Sequence, residues 1–139
     1  MTKSIQLMRV TGDWYNHVQW DWYAWLTFKN QIGEKEAYKK FNKWKVTLKK
    51  AVKNKISYVM AIETPPYNRD HLHIHVLLLG ANNELPYKWE QEWYRTAGIA
   101  KIRQYDRNQG VNYYMGDKLI SGECITKFSS NLVIPNLVM

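Results

Sequence analysis

The run His71-Leu-His-Ile-His-Val-Leu-Leu-Leu-Gly80 limits what this chain can become more than any other stretch. Successive side chains on a strand point to opposite faces, so residues two apart share a face. His71, His73 and His75 then line one side of a strand, and Leu72, Ile74, Val76 and Leu78 line the other. The chain holds four histidines, and three of them fall in this run. Neutral imidazoles paired on one face of a rigid strand are half of a divalent-metal site.

The neighbouring pattern supplies the rest of a small α+β fold. Residues 20–28 are aromatic and β-branched and read as a strand. From Glu34 to Val52, Tyr38, Phe41, Trp44, Leu48 and Val52 recur at helical spacing and predict one apolar face, with Lys39, Lys43, Lys50 and Lys53 opposite. Ser57 to Glu63 reads as a second strand, and Thr64-Pro-Pro-Tyr-Asn-Arg-Asp70 is turn chemistry leading into the histidine strand. Residues 57–80 are therefore expected as an antiparallel hairpin. Pro86 is placed to open a helix through about Arg95, Gly98 to Tyr105 alternates as a strand, and Gln109 to Ile120 predicts a last helix. The order is the ferredoxin-like βαββαβ unit of an α+β fold, with an antiparallel sheet and helices on one face, plus a C-terminal helix. With 139 residues the expectation is one domain, its core about 18–122 and its tail 123–139, and no element is assigned after Cys124.

Charge points to the partner class. Lysine and arginine outnumber acidic residues 20 to 12, for a net charge of +8, and nine of the basic residues lie between Lys35 and Lys55. Such a balance favours polyanions, nucleic acid before an anionic membrane surface. Seven Trp and ten Tyr accompany the cations, a combination suited to single strands whose bases stack and whose phosphates need neutralising. Lys39, Lys43, Lys50 and Arg103 are the candidate nucleic-acid contacts. One cysteine, Cys124, allows no internal disulfide. No apolar run approaches membrane-spanning length, so a soluble, cytoplasmic protein without a membrane partner is expected.

The hairpin brings Glu63 back beside the histidine strand. Two nitrogens from His73 and His75 with one carboxylate oxygen suit Mn²⁺ or Mg²⁺ acting on a phosphate, although zinc accepts the same ligand types. In Gly110-Val-Asn-Tyr-Tyr-Met-Gly-Asp-Lys-Leu-Ile120, Tyr114 and Lys118 are four apart and share a helical face. Tyr114 is then a candidate nucleophile, with Lys118 to stabilise its phenolate or hold the phosphate, and Tyr113 the alternative.

Three motifs resemble the HUH endonuclease superfamily, in particular the rolling-circle replication initiators of plasmids and phages. They are Trp25-Leu-Thr-Phe28, then Ala61-Ile-Glu-Thr with His71-Leu-His-Ile-His-Val-Leu-Leu78, then Tyr114-Met-Gly-Asp-Lys118. That resemblance implies metal-dependent nicking and joining of single-stranded DNA at a replication origin, a hairpin being one form of the site. His73, His75 and Glu63 would hold the metal, and His71 would support them or flank the substrate groove. Tyr114 would form a 5′-phosphotyrosine and free a 3′-hydroxyl. The tyrosine–lysine spacing is four where the family usually has three, which keeps Tyr113 open. No Gly-Lys-Ser/Thr phosphate loop is present, so a host helicase and polymerase are expected partners, and the protein itself is expected as a monomer or homodimer.

Other readings use the same residues. His71-Leu-His-Ile-His-Val-Leu also resembles the histidine-triad nucleotide hydrolases, in which His73 would attack phosphorus without a metal. Single-domain insertion-sequence transposases share the favoured chemistry. A basic ferredoxin-like module that binds nucleic acid without cutting it is the non-catalytic alternative.

Overall fold

The computed structural model describes residues 20–53, 55–63 and 72–106, together with the backbone of Cys124–Phe128. Its elements follow in the order β1 (Trp22–Thr27), α1 (Glu34–Val52), β2 (Ser57–Glu63), β3 (His73–Leu79), α2 (Pro86–Thr96), β4 (Ala100–Gln104) and β5 (Cys124–Phe128). The first six are the βαββαβ unit expected from the pattern, and α1 and β2 keep the expected boundaries. His71, Tyr113, Tyr114, Lys118 and the expected helix 109–120 lie outside the described residues.

All neighbouring strands are antiparallel, in the spatial order β4-β1-β3-β2-β5. This order puts the histidine strand in the middle of the sheet. The fifth strand has no counterpart in the sequence reading; it pairs with β2, Glu63 standing opposite Cys124.

Alternation along each strand explains the layering. Trp22, Ala24 and Leu26 of β1, Tyr58, Met60 and Ile62 of β2, Ile74, Val76 and Leu78 of β3, and Ala100 and Ile102 of β4 join one buried cluster. Ala37, Phe41, Trp44 and Leu48 of α1 and Trp89 and Trp93 of α2 complete it. Both helices therefore cover the sheet face opposite His73 and His75, at spacings of three and four that turn one helical stripe inward. Burying a side chain such as Phe41 or Leu48 contributes about 1.5–3 kcal/mol. The indoles also satisfy their polar edges: Trp44 Nε1 donates to the Trp89 carbonyl at 3.1 Å, and Trp93 Nε1 to the Thr27 carbonyl at 2.8 Å. Those bonds tie α1 to α2 and α2 to β1.

Asp21 fixes where β3 ends. Its Oδ2 accepts from the backbone N–H of Gly80 at 2.6 Å and of Ala81 at 3.1 Å. Gly80 turns there with φ +110°, a conformation that side-chain-bearing residues rarely adopt.

Candidate metal centre

Register builds the site before any ligand is considered. In the β2–β3 pairing Glu63 stands directly opposite His73, and Ala61 opposite His75. A slip of one residue would send Glu63 to the core face, and the apolar set on the back of both strands forbids it. On the other side of β3, β1 places Trp25 opposite His75 and Thr27 opposite His73.

Glu63 Oε2 lies 3.8 Å from His73 Nε2 and 3.5 Å from His75 Nε2. One ligand atom from each of the three residues falls within 4.8 Å of the other two. Two atoms that each sit about 2.1 Å from one ion are about 3.0–3.4 Å apart in octahedral or tetrahedral geometry. The observed separations therefore close onto a cation with small side-chain adjustments. Two imidazoles and a carboxylate fit a divalent metal and leave further coordination positions for phosphate oxygens. His75 is buried, whereas His73 and Glu63 keep some access to solvent.

The surroundings hold the rings in place. Trp25 stacks on His75 with ring centroids 5.8 Å apart and planes 20° apart, and meets His73 edge-on at 5.7 Å. The two histidine rings are themselves edge to face at 5.0 Å. Tyr23 Oη is 2.9 Å from His75 Nδ1. When Nε2 gives its lone pair to a cation, the ring proton sits on Nδ1, so Nδ1–H donates to the tyrosine oxygen. Burial raises the Tyr23 pKa above its usual value, and the Glu63 carboxylate raises it further, so the phenol stays neutral.

The candidate ligands His73, His75 and Glu63 thus come together as the sequence suggested. Arg103 lies on β4 and is exposed, with its guanidinium 3.1 Å from Glu90. Lys39, Lys43 and Lys50 are exposed on α1, in the layer behind the sheet, and are not brought to the histidine face. Sequence reasoning missed Tyr23 and Lys101. Lys101 stands opposite Trp25 on β4 and holds its Nζ 5.7 Å from the indole centroid. Its alternation with Ala100 and Ile102 was the available signal, but only the sheet order shows that β4 borders β1.

Among the described residues no helix is long and apolar enough to cross a membrane. Neither the curated proteins nor the solved structures compared with the chain give a match. A family model for replication-associated proteins of the ORF2 type matches residues 21–118, a span that begins before β1 and takes in all three candidate ligands, Tyr113, Tyr114 and Lys118. With its βαββαβ sheet and a His-His-Glu cluster consistent with an HUH metal site, the chain belongs to this replication-associated protein family of HUH-type rolling-circle initiators.

Proposed function

We propose that the protein nicks and rejoins single-stranded DNA at a replication origin by tyrosine transesterification. The observation that carries this reading is the Glu63–His73–His75 cluster on the sheet face opposite the two helices, in a chain of the replication-associated family. A divalent ion, Mn²⁺ or Mg²⁺, would act there as a Lewis acid on the scissile phosphate. Glu63, His73 and His75 would hold it, Tyr23 would accept the Nδ1 proton of His75 once Nε2 ligates, and Trp25 packs against both rings.

Tyr114, or its neighbour Tyr113, supplies the nucleophile. Its phenolic oxygen forms a bond to phosphorus as the P–O3′ bond breaks. The phenol proton passes through Lys118 or water to the departing oxygen, which leaves as a 3′-hydroxyl. One phosphodiester is exchanged for another, so a later 3′-hydroxyl reverses the step and rejoins the strand. Helicase and polymerase functions come from partner proteins.

The family match favours this reading over the histidine-triad hydrolase, and its replication-associated description favours an initiator over a transposase. The test is intact-protein mass after incubation with a randomised single-stranded DNA pool and Mn²⁺, beside Tyr114→Phe and Tyr113→Phe. The expected result is a Mn²⁺-dependent oligonucleotide adduct that one of the two variants loses. A metal-independent nucleotide on His73 would replace this reading with the triad mechanism. Binding without any adduct would leave the non-catalytic module.

A further inference from the structure

Six tryptophans lie among the described residues, and five of them, Trp20, Trp22, Trp44, Trp89 and Trp93, are buried. Trp25 is the exception, with 39% of its surface exposed. It stands on β1 between two functional-looking neighbours, His75 on β3 and Lys101 on β4, both directly opposite it in register. The row His75–Trp25–Lys101 therefore runs across three adjacent strands, about 10 Å at the usual strand spacing. The indole stacks on His75, and the ammonium of the exposed Lys101 lies over the ring, 5.7 Å from its centroid.

Core packing does not account for an exposed indole at this position, because β1 already gives the core Trp22, Ala24 and Leu26. A partly exposed ring with a cation 5.7 Å over it, next to a candidate phosphate-handling metal centre, has the parts of a nucleotide site. We infer that Trp25 and Lys101 form a binding step for the nucleotide flanking the scissile phosphate. The base stacks on the indole surface over which the Lys101 ammonium now lies, and the ammonium swings aside to neutralise the adjoining phosphate. A base reaches an indole only when it has left its own helical stack, so the step selects an unpaired nucleotide. This inference rests on the nucleic-acid reading of the metal centre, though not on the tyrosine chemistry.

The test measures binding of a fluorescein-labelled oligothymidine by anisotropy over a salt series, for wild type, Trp25→Ala, Trp25→Phe and Lys101→Ala. Mn²⁺ affinity without DNA is measured on the same proteins by electron paramagnetic resonance. Loss of one stacked base weakens binding by about tenfold or more. Trp25→Ala is expected to show that loss, Trp25→Phe to recover part of it, and Lys101→Ala to flatten the salt dependence by about 0.7 in log–log slope. Binding of a duplex of equal length should change little in Trp25→Ala.

Unchanged oligothymidine binding in Trp25→Ala and an unchanged slope in Lys101→Ala would overturn the inference. So would a parallel loss of Mn²⁺ and oligonucleotide in Trp25→Ala that Trp25→Phe restores, because Trp25 would then serve only to prop the histidines. Should Trp25→Ala fail to fold, Trp25→Phe and Lys101→Ala decide the matter by the same criteria. The wild-type adduct assay separates the two ideas. No adduct with the binding losses intact defeats the transesterification and leaves the stacking step, and an adduct with no binding losses does the reverse.

Discussion

Tyr23 Oη lies 2.9 Å from His75 Nδ1, the ring nitrogen that does not face Glu63. A residue of the first strand thereby gives the outer ring nitrogen of a candidate ligand on the third a hydrogen-bond partner. Outer hydrogen-bond partners of metal-bound histidines typically change affinity by about 10–100-fold when removed. Tyr23→Phe is expected to weaken Mn²⁺ binding by about tenfold with the circular-dichroism spectrum unchanged. Calorimetric titration with Mn²⁺ checks it; wild-type affinity in the variant would show that the phenol does not tune the ligand.

Removing a ligand should act on chemistry rather than on folding. Glu63 and His73 sit at the ends of their strands, and the core residues behind them, Ile62 and Ile74, are untouched by substitution on the other face. Lewis-acid assistance is worth several kcal/mol in such reactions. Glu63→Ala and His73→Ala are each expected to reduce Mn²⁺-dependent nicking by about a thousandfold, as is chelation of the wild type. Gel assays of a labelled single strand measure this, and full activity in both variants would refute the metal site.

The α1 lysines call for a different readout. Lys39, Lys43 and Lys50 are exposed behind the sheet, so they would contribute through field and backbone contacts away from the reacting phosphate. The triple alanine variant is expected to lower the salt slope of DNA binding by up to about 2–3, with the adduct-forming rate at saturating DNA unchanged. A reduced rate at saturation would instead place these lysines close to the chemistry.

Stability has its own sensitive point at Gly98, where a Cβ would collide with the Thr27 carbonyl oxygen and the Phe28 Cα. Both are backbone atoms of the segment that also accepts the Trp93 indole N–H, so neither yields easily. Gly98→Ala is expected to cost about 1–3 kcal/mol, read as a lower urea midpoint at an unchanged m-value.

Most of the frame was legible because its signals are local. The Phe41-Trp44-Leu48 stripe, Pro86, and the alternation on both sides of His73 and His75 need only neighbours in sequence to be read. The hairpin then makes Glu63 meet the histidines by counting alone. Tyr23 and Lys101 were not legible, since each reaches the site through strand order and register. Tyr23 is 52 positions from its partner His75. On β1, Tyr23 and Trp25 are as apolar as the Trp22 and Ala24 that face the core, so pattern does not say which set points inward. The lysine stripe was placed correctly on the exposed side of its helix, but no periodicity tells which face of the sheet that helix covers.

The central position of β3 bears on how the centre is lost. β3 is hydrogen-bonded along both edges, to β1 and to β2, whereas β4 and β5 are the outer strands among the described residues. Outer strands open with little free energy, and a strand paired on both sides opens only with the larger cooperative unit. Two of the three candidate ligands ride on that strand and the third on its inner neighbour. Fraying of the rim therefore leaves His75 in register inside β3, while Glu63 and His73, at their strand ends, are the donors that local opening would draw apart first.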